Sequence, residues 1–308
     1  LYTTKTDSIL VSDLIKEDLE EKYTDFSERT RVLKTIDITK DVEDITKKVS
    51  IKNTSFNVLI SGMDSYGTIN KTTRNDVNMI ATVNPNTNKV LLTSIPRDYY
   101  VQLHGKTGYK DKLTHAGIYG INTVVQTIED LFGIDINYYV RVNFTTVESL
   151  VNTIGPIEIY SDKAMSLDGC KYVVGTNTVN GKCALRFARE RHSYVEGDNH
   201  RIKNQQEVIK GIFNKLSKSA MVVTDYTSIL NSLDGKFATN MDMKDITAFI
   251  KYELEDITKY EILDTQVTGT GSMELTYSYP HQKLYVMFPS EQSVESAKEY
   301  INKISNEK

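Results

Sequence analysis

Phe56-Asn-Val-Leu-Ile-Ser-Gly-Met-Asp64 is an apolar run that closes on a glycine and a carboxylate. A continuous apolar stretch of that length reads as a buried strand that delivers a loop at its tip. Further on, Val77-Asn-Met-Ile-Ala-Thr-Val83 and Val90-Leu-Leu-Thr-Ser-Ile95 flank Asn84-Pro-Asn-Thr-Asn88, which predicts a hairpin around a turn-forming segment. Pro96 has no N–H to give to a ladder, so the second strand ends there. After Gly120 the spacing changes: Val124, Val125, Ile128, Leu131 and Phe132 recur at three and four residues, predicting a helix that Gly133 stops. A strand at 138–142, a helix at 144–154 closed by Gly155-Pro156 and a strand at 157–160 continue the alternation. Strands alternating with helices define an α/β class, with one sheet covered by helices on both faces.

The flanks are less decisive. Residues 1–50 are densely charged, with a short apolar run around Ile9, a helix over 12–23 and an alternating strand over 31–38. Beyond the central block the pattern predicts a long helix at 199–216 and shorter ones at 227–233 and 244–252. Strands near Tyr260 and Leu284 and a closing helix at 293–304 follow. No internal repeat or low-complexity linker divides the chain.

The 308 residues are 39% hydrophobic and 25% charged, the balance of a folded domain. Lys and Arg number 37 against 41 Asp and Glu, a formal charge of -4, so no basic field for a nucleic acid exists and any anion site must be local. No apolar run is long enough to cross a bilayer and no signal segment opens the chain. The two cysteines, Cys170 and Cys183, are 13 positions apart, which is not the spacing of a zinc ribbon. The sequence leaves both a disulfide and two separate thiols open.

Chemistry concentrates where the apolar runs end. Asp64 and Asp76 flank a loop between strands that are neighbours if the first two runs pair. Their carboxylates then suit one hard cation, Mg²⁺ or Mn²⁺, although capping of turns accounts for the same residues. Arg97, thrown out by Pro96, sits beside Asp98. Arg186, Arg189 and Arg191 follow Asn180-Gly-Lys-Cys-Ala-Leu185, and the 189/191 pair shares one side only on an extended segment. Arg201 and Gln205 lie one turn apart near the start of the long helix, where free amides and the helix dipole favour anions. Arginines gathered around two aspartates match a phosphorylated ligand, because guanidinium forks pair bidentately with phosphate oxygens.

Gly62-Met-Asp64, Arg74-Asn-Asp76, Ser94-Ile-Pro-Arg-Asp98, Lys112-Leu-Thr-His-Ala116, and Arg189-Glu-Arg191 with Asp198, Arg201 and Gln205 resemble the motif blocks of the LytR-CpsA-Psr family. Order and spacing match from residue 56 to about 216, most closely to its CpsA-type branch. The resemblance implies a three-layer α/β/α sandwich with a central mixed sheet and a hydrophobic lipid channel. It divides the chain into residues 1–50, the remnant of an accessory domain, and residues 51–308, the catalytic domain with a C-terminal extension from about 220. It further implies an enzyme on the outer face of the bacterial membrane, with a single-pass N-terminal anchor lying outside this sequence. Such an enzyme would transfer an anionic or capsular glycopolymer from polyprenyl pyrophosphate to peptidoglycan. Carried over by position, Asp64 and Asp76 would hold Mg²⁺, and Arg74, Arg97, Arg189, Arg191, Arg201 and Gln205 the pyrophosphate. Arg97, Arg191, Arg201 and Asp98 would then serve catalysis, Asp98 as an orienting partner. The chain departs from the commoner pattern at His200, where glycine is frequent, and at Asn204, where an arginine is; Lys203 is a candidate substitute for that charge. A non-catalytic module that binds or senses the lipid carrier is the alternative.

Overall fold

The computed structural model describes residues 45–51, 53–69, 72–195, 197–217, 226–242, 245 and 260–308. The helix expected at 12–23, the strand at 31–38 and nearly all of the helix at 244–252 lie outside the described residues.

Strand β1 (Phe56–Met63) is buried on both faces, as its unbroken apolar run requires. β2 (Val77–Asn84) and β3 (Lys89–Ile95) form the expected hairpin, with Val83 opposite Val90. The short pair β4 (Tyr100–Val101) and β5 (Asp111–Lys112) follows. Helix α1 (Ile121–Phe132) buries Ile121, Val124, Val125, Ile128 and Phe132 on one stripe. It stops at Gly133, whose left-handed φ of 62° lets its N–H return to the Glu129 carbonyl. β6 (Tyr138–Asn143) runs parallel to β1 and leads directly into α2 (Phe144–Ile154). Asn143 caps α2 by accepting from the Thr146 N–H, and the Thr146 hydroxyl accepts from the Asn143 N–H in return.

β7 (Ile157–Ser161), β8 (Met165–Leu167), β9 (Cys170–Tyr172) and β10 (Gly175–Val179) make two small sheets that carry α3 (Gly181–Arg189). Next come α4 (Asp198–Ser217), α5 (Tyr226–Ser232) and β11 (Phe237–Thr239), and then β12 (Glu261–Gln266), β13 (Gly269–Thr276), β14 (Tyr279–Pro289) and α6 (Glu291–Asn306). The central sheet has six strands in the order β11-β6-β1-β2-β3-β12 and is mixed: β1/β6 and β3/β12 are parallel, the other pairs antiparallel. Residues beyond 220 therefore supply both edges of the sheet. The strand expected near Tyr260 begins one residue later, at Glu261, and Leu284 lies within β14.

Leu59, Ile80 and Leu91 point to one face and pack under α1 and α6 with Val124, Ile128, Phe132 and Ile301. The other face, carrying Val58, Ala81 and Leu92, lies under α4, with α2 and α3 beside it. This is the α/β/α sandwich that the alternation of strands and helices foretold. Each fully buried Val, Leu, Ile or Phe contributes roughly 1.5–3 kcal/mol, so these faces carry the fold.

Cys170 and Cys183 are joined in a disulfide, with Cα atoms 5.5 Å apart. The bond ties β9 to α3, and closing a loop of this size stabilises by about 3 kcal/mol on the chain-entropy estimate.

Asp111 forms a buried junction between β5 and the turn of the β13/β14 hairpin. Its Oδ1 lies 2.6 Å from His115 Nδ1, and its Oδ2 accepts from the Ser278 N–H at 2.9 Å and from the Ser278 hydroxyl at 2.5 Å. Burial alone pushes the carboxyl up, but the hydrogen bonds from His115 and Ser278 outweigh it and hold the group below its ordinary value. The stability that Asp111 provides is thus complete above the unfolded carboxyl value of about 4 and is lost as pH falls through the lower folded value. Melting curves between pH 3 and 7 should show the Asp111→Asn variant losing less stability on acidification than the parent, from a lower starting point. Parallel curves would remove this role.

Candidate anion-binding mouth over an apolar cavity

The pairing of β1 with β2 sets the first two site residues. Gly62 faces Val77, and the Asp76 N–H extends the ladder by donating to the Gly62 carbonyl at 2.8 Å. Asp64 and Asp76 consequently leave the same end of the sheet and line one cavity. A Cβ on Gly62 would stand 2.7 Å from Val77 Cβ, so only glycine permits this close pairing.

Arg97 follows β3 at the same end. Its Nη1 is 2.5 Å from Asp76 Oδ1 and its Nε 3.8 Å from Asp98 Oδ2. Asp98 also takes the Lys112 ammonium and does not line the cavity, so it braces Arg97 from behind. Lys112, Asp98, Arg97 and Asp76 form a row of alternating charge that fixes the guanidinium in one pose.

Helix α3 brings two more cations. Asn180 caps it by accepting from the Cys183 N–H, and Arg186 and Arg189, one turn apart, share a face. Arg186 Nη1 lies 3.0 Å from Asp168 Oδ2 at the β8/β9 turn. Arg189 stacks on the Phe144 ring, 4.1 Å from its centroid, with Nη2 3.7 Å from Asp64 Oδ1. Arg189 ends the helix, and Glu190, the C-cap between it and Arg191, has extended backbone, so the extended arrangement covers this one residue and not the whole segment. Both line the cavity. From α4, Arg201, 9% exposed, and Gln205 line the same space one helical turn apart.

Below this mouth the cavity is apolar, and mouth and interior together measure ≈ 980 Å³. Val58 and Ile60 of β1, Ala81 of β2 and Val140 of β6 form its floor, and Ile209 and Phe213 of α4 its roof. Protein interiors are close-packed with few voids larger than a water, so an apolar space of this size marks a ligand site. Among the described residues no helix is long and apolar enough to cross a membrane.

Two expectations need correction. Arg74 is not at the mouth: its Nη2 donates to the Tyr279 hydroxyl at 3.0 Å on an exposed surface outside the cavity wall. Lys203 is exposed on α4 and does not line the cavity, so it does not replace the charge missing at position 204. Asn204 is buried and donates to the Glu190 carbonyl at 3.3 Å, fastening the loop after α3 to α4. His200, also buried, stacks on Tyr194 and lies 3.4 Å from Asp162; the side chains of Asp198 and Asn199 are outside the described set. The sequence reading missed Phe144 and Asp168. Phe144 carries no signal beyond an aromatic at a helix start, but Asp168-Gly169 between two short strands is a hairpin signal that was available.

Fold and site together define a three-layer α/β protein whose apolar cavity opens through a mouth of guanidinium and carboxylate groups. The chain belongs to the LytR-CpsA-Psr family: the LytR_cpsA_psr family model matches residues 23–299. It is 32% identical over 255 residues to the polyisoprenyl-teichoic acid–peptidoglycan teichoic acid transferase TagU of Enterococcus faecalis, covering 80% of this chain and 82% of that protein. With TagU of Bacillus subtilis it shares 34% identity over 231 residues, covering 73% of this chain and 72% of the relative. The crystal structure of Bacillus subtilis TagU superposes with a TM-score of 0.63 at 28% identity, over 83% of this chain and 98% of that one.

Proposed function

We propose that this protein is an extracellular phosphotransferase that moves an anionic glycopolymer, of teichoic or capsular type, from a polyprenyl-pyrophosphate carrier to peptidoglycan. One observation carries the reading: a single cavity joins an apolar interior to a mouth lined by Arg97, Arg189, Arg191 and Arg201, matching a ligand with a long hydrocarbon chain and a diphosphate head. The teichoic acid transferases among its relatives supply the glycopolymer and the acceptor.

In this reaction a peptidoglycan hydroxyl oxygen bonds to the phosphorus that bears the glycan. The bond from that phosphorus to the bridging oxygen breaks, polyprenyl phosphate leaves with the electron pair, and the hydroxyl proton passes to a base. The arginines hold the diphosphate oxygens and balance the charge that builds on them, which is most of what phosphoryl transfer asks of a protein.

Asp64 and Asp76 offer hard carboxylate oxygens suited to Mg²⁺ or Mn²⁺. Among the described residues no group of three or more His, Cys, Asp or Glu side chains gathers into a ready-made metal cage, here or elsewhere. A metal held by these two would complete its shell with phosphate oxygens and water, and would neutralise the diphosphate. With the acceptor absent, water in its place would make a slow pyrophosphatase. The expected site is the outer face of the membrane, reached through an N-terminal anchor.

Incubating the protein with glycopolymer-linked polyprenyl pyrophosphate, peptidoglycan fragments and Mg²⁺ tests the proposal. It requires polyprenyl phosphate and a glycan–peptidoglycan phosphodiester to form together, and both to cease with EDTA. Tight binding of the carrier with neither product would instead indicate a module that holds or senses the lipid.

A further inference from the structure

Beside the mouth stands an aromatic side chain with no part in the chemistry above. Tyr66 is 60% exposed, yet its loop is firmly tied. The Ser65 carbonyl accepts from the Phe144 N–H at 3.1 Å. The Gly67 N–H donates to Thr145 Oγ1 at 2.9 Å, and the Gly67 carbonyl accepts from Asn143 Nδ2 at 2.8 Å. Ser65 and Gly67, on either side of Tyr66, are thus anchored to the N-terminus of α2, and the large ring between them is left in solvent. Among the described residues its ring contact is with Phe144, centroids 5.1 Å apart and planes at 67°. The Arg189 guanidinium also lies over the Phe144 ring. Contacts therefore link Tyr66 to Phe144, Phe144 to Arg189 and Arg189 to Asp64; the last three line the cavity and Tyr66 stands just outside its wall.

An exposed aromatic on a tied-down loop has little freedom left to lose on binding and has apolar surface still to cover. Its body is apolar and its tip polar, matching a pyranose ring, which pairs a face of C–H groups with a rim of hydroxyls. Position selects the occupant. A glycosyl diphosphate carries its first sugar one oxygen from the phosphorus, so with the diphosphate beside Arg189 that sugar lies just outside the cavity wall, where Tyr66 stands. We propose that Tyr66 is the platform for the donor's diphosphate-linked sugar, a specificity-determining contact absent from the set that holds the phosphates. The inference rests on the lipid-diphosphate reading of the mouth.

Two probes separate this inference from that reading: polyprenyl pyrophosphate without sugar, and polyprenyl pyrophosphate bearing one hexosamine. Tyr66→Ala should bind the sugar-free probe as the parent does and the glycosylated probe about tenfold more weakly, while Tyr66→Phe keeps both affinities. An equal loss on both probes would overturn the proposal, since Tyr66 would then act only by supporting Phe144 and Arg189. Unchanged binding of both probes, or a rise confined to the KM for peptidoglycan, would overturn it too. If the parent binds neither probe, the reading of the mouth falls and this inference with it.

Discussion

Replacing Arg201 by alanine should lower glycopolymer transfer by on the order of 10²-fold or more, the cost of losing one preorganised donor to developing charge. Arg201 is held on α4 and faces the mouth with nine-tenths of its surface out of solvent. In that setting a guanidinium interacts with phosphate far more strongly than it would in water. Arg97→Ala should lose at least as much, because it also frees Asp76, to which Arg97 Nη1 is bonded at 2.5 Å. Arg201→Lys keeps the charge and loses the planar fork, so it should recover only part of the rate. Single-turnover rates, with melting temperatures as a control for folding, decide the matter. Full activity in both alanine variants would mean that the arginines do not hold the reacting phosphates.

The second large effect concerns the cavity. Ala81 lies on β2 opposite Val58, is 4% exposed and faces the apolar space. Adding bulk to a close-packed core costs about 1–3 kcal/mol, but here a phenyl ring enters open space. Ala81→Phe should therefore fold with a melting temperature near that of the parent. It should nevertheless lose at least about tenfold in affinity for long polyprenyl pyrophosphates, because each buried methylene contributes up to about 0.8 kcal/mol and the ring displaces several. A short isoprenyl diphosphate that reaches only the mouth should bind parent and variant alike. Titration of both proteins with lipids of graded length checks this, and a length dependence unchanged by the substitution would mean the chain lies elsewhere.

Much of this architecture was legible in the sequence. β1, the β2/β3 hairpin and α1 follow from apolar runs and from Gly133, because these signals are local. The delivery of Asp64 and Asp76 to one end of the sheet follows from strand pairing alone. What escaped was long-range or depended on empty space. Arg74 meets Tyr279 across 205 positions of chain, and nothing within its own motif signals that partner. The disulfide was undecided because spacing says nothing about how Cβ atoms are directed. The residues themselves gave no sign of the cavity, which was expected only from the family resemblance, for a related reason: an apolar strand face and an apolar helix stripe read the same whether they touch or stand apart. Val58, Ala81, Ile209 and Phe213 have the periodicity of a packed core, and only the structure shows that they also border an open space.

A crystal structure of the protein soaked with Mg²⁺ and a polyprenyl pyrophosphate tests the joint assignment of mouth and cavity. Both phosphates should lie within hydrogen-bonding distance of Arg97 and Arg201, a metal should bridge them to Asp64 and Asp76, and hydrocarbon density should run between β1 and α4. Diphosphate bound at another surface, or a chain lying outside while the cavity keeps only water, would contradict it.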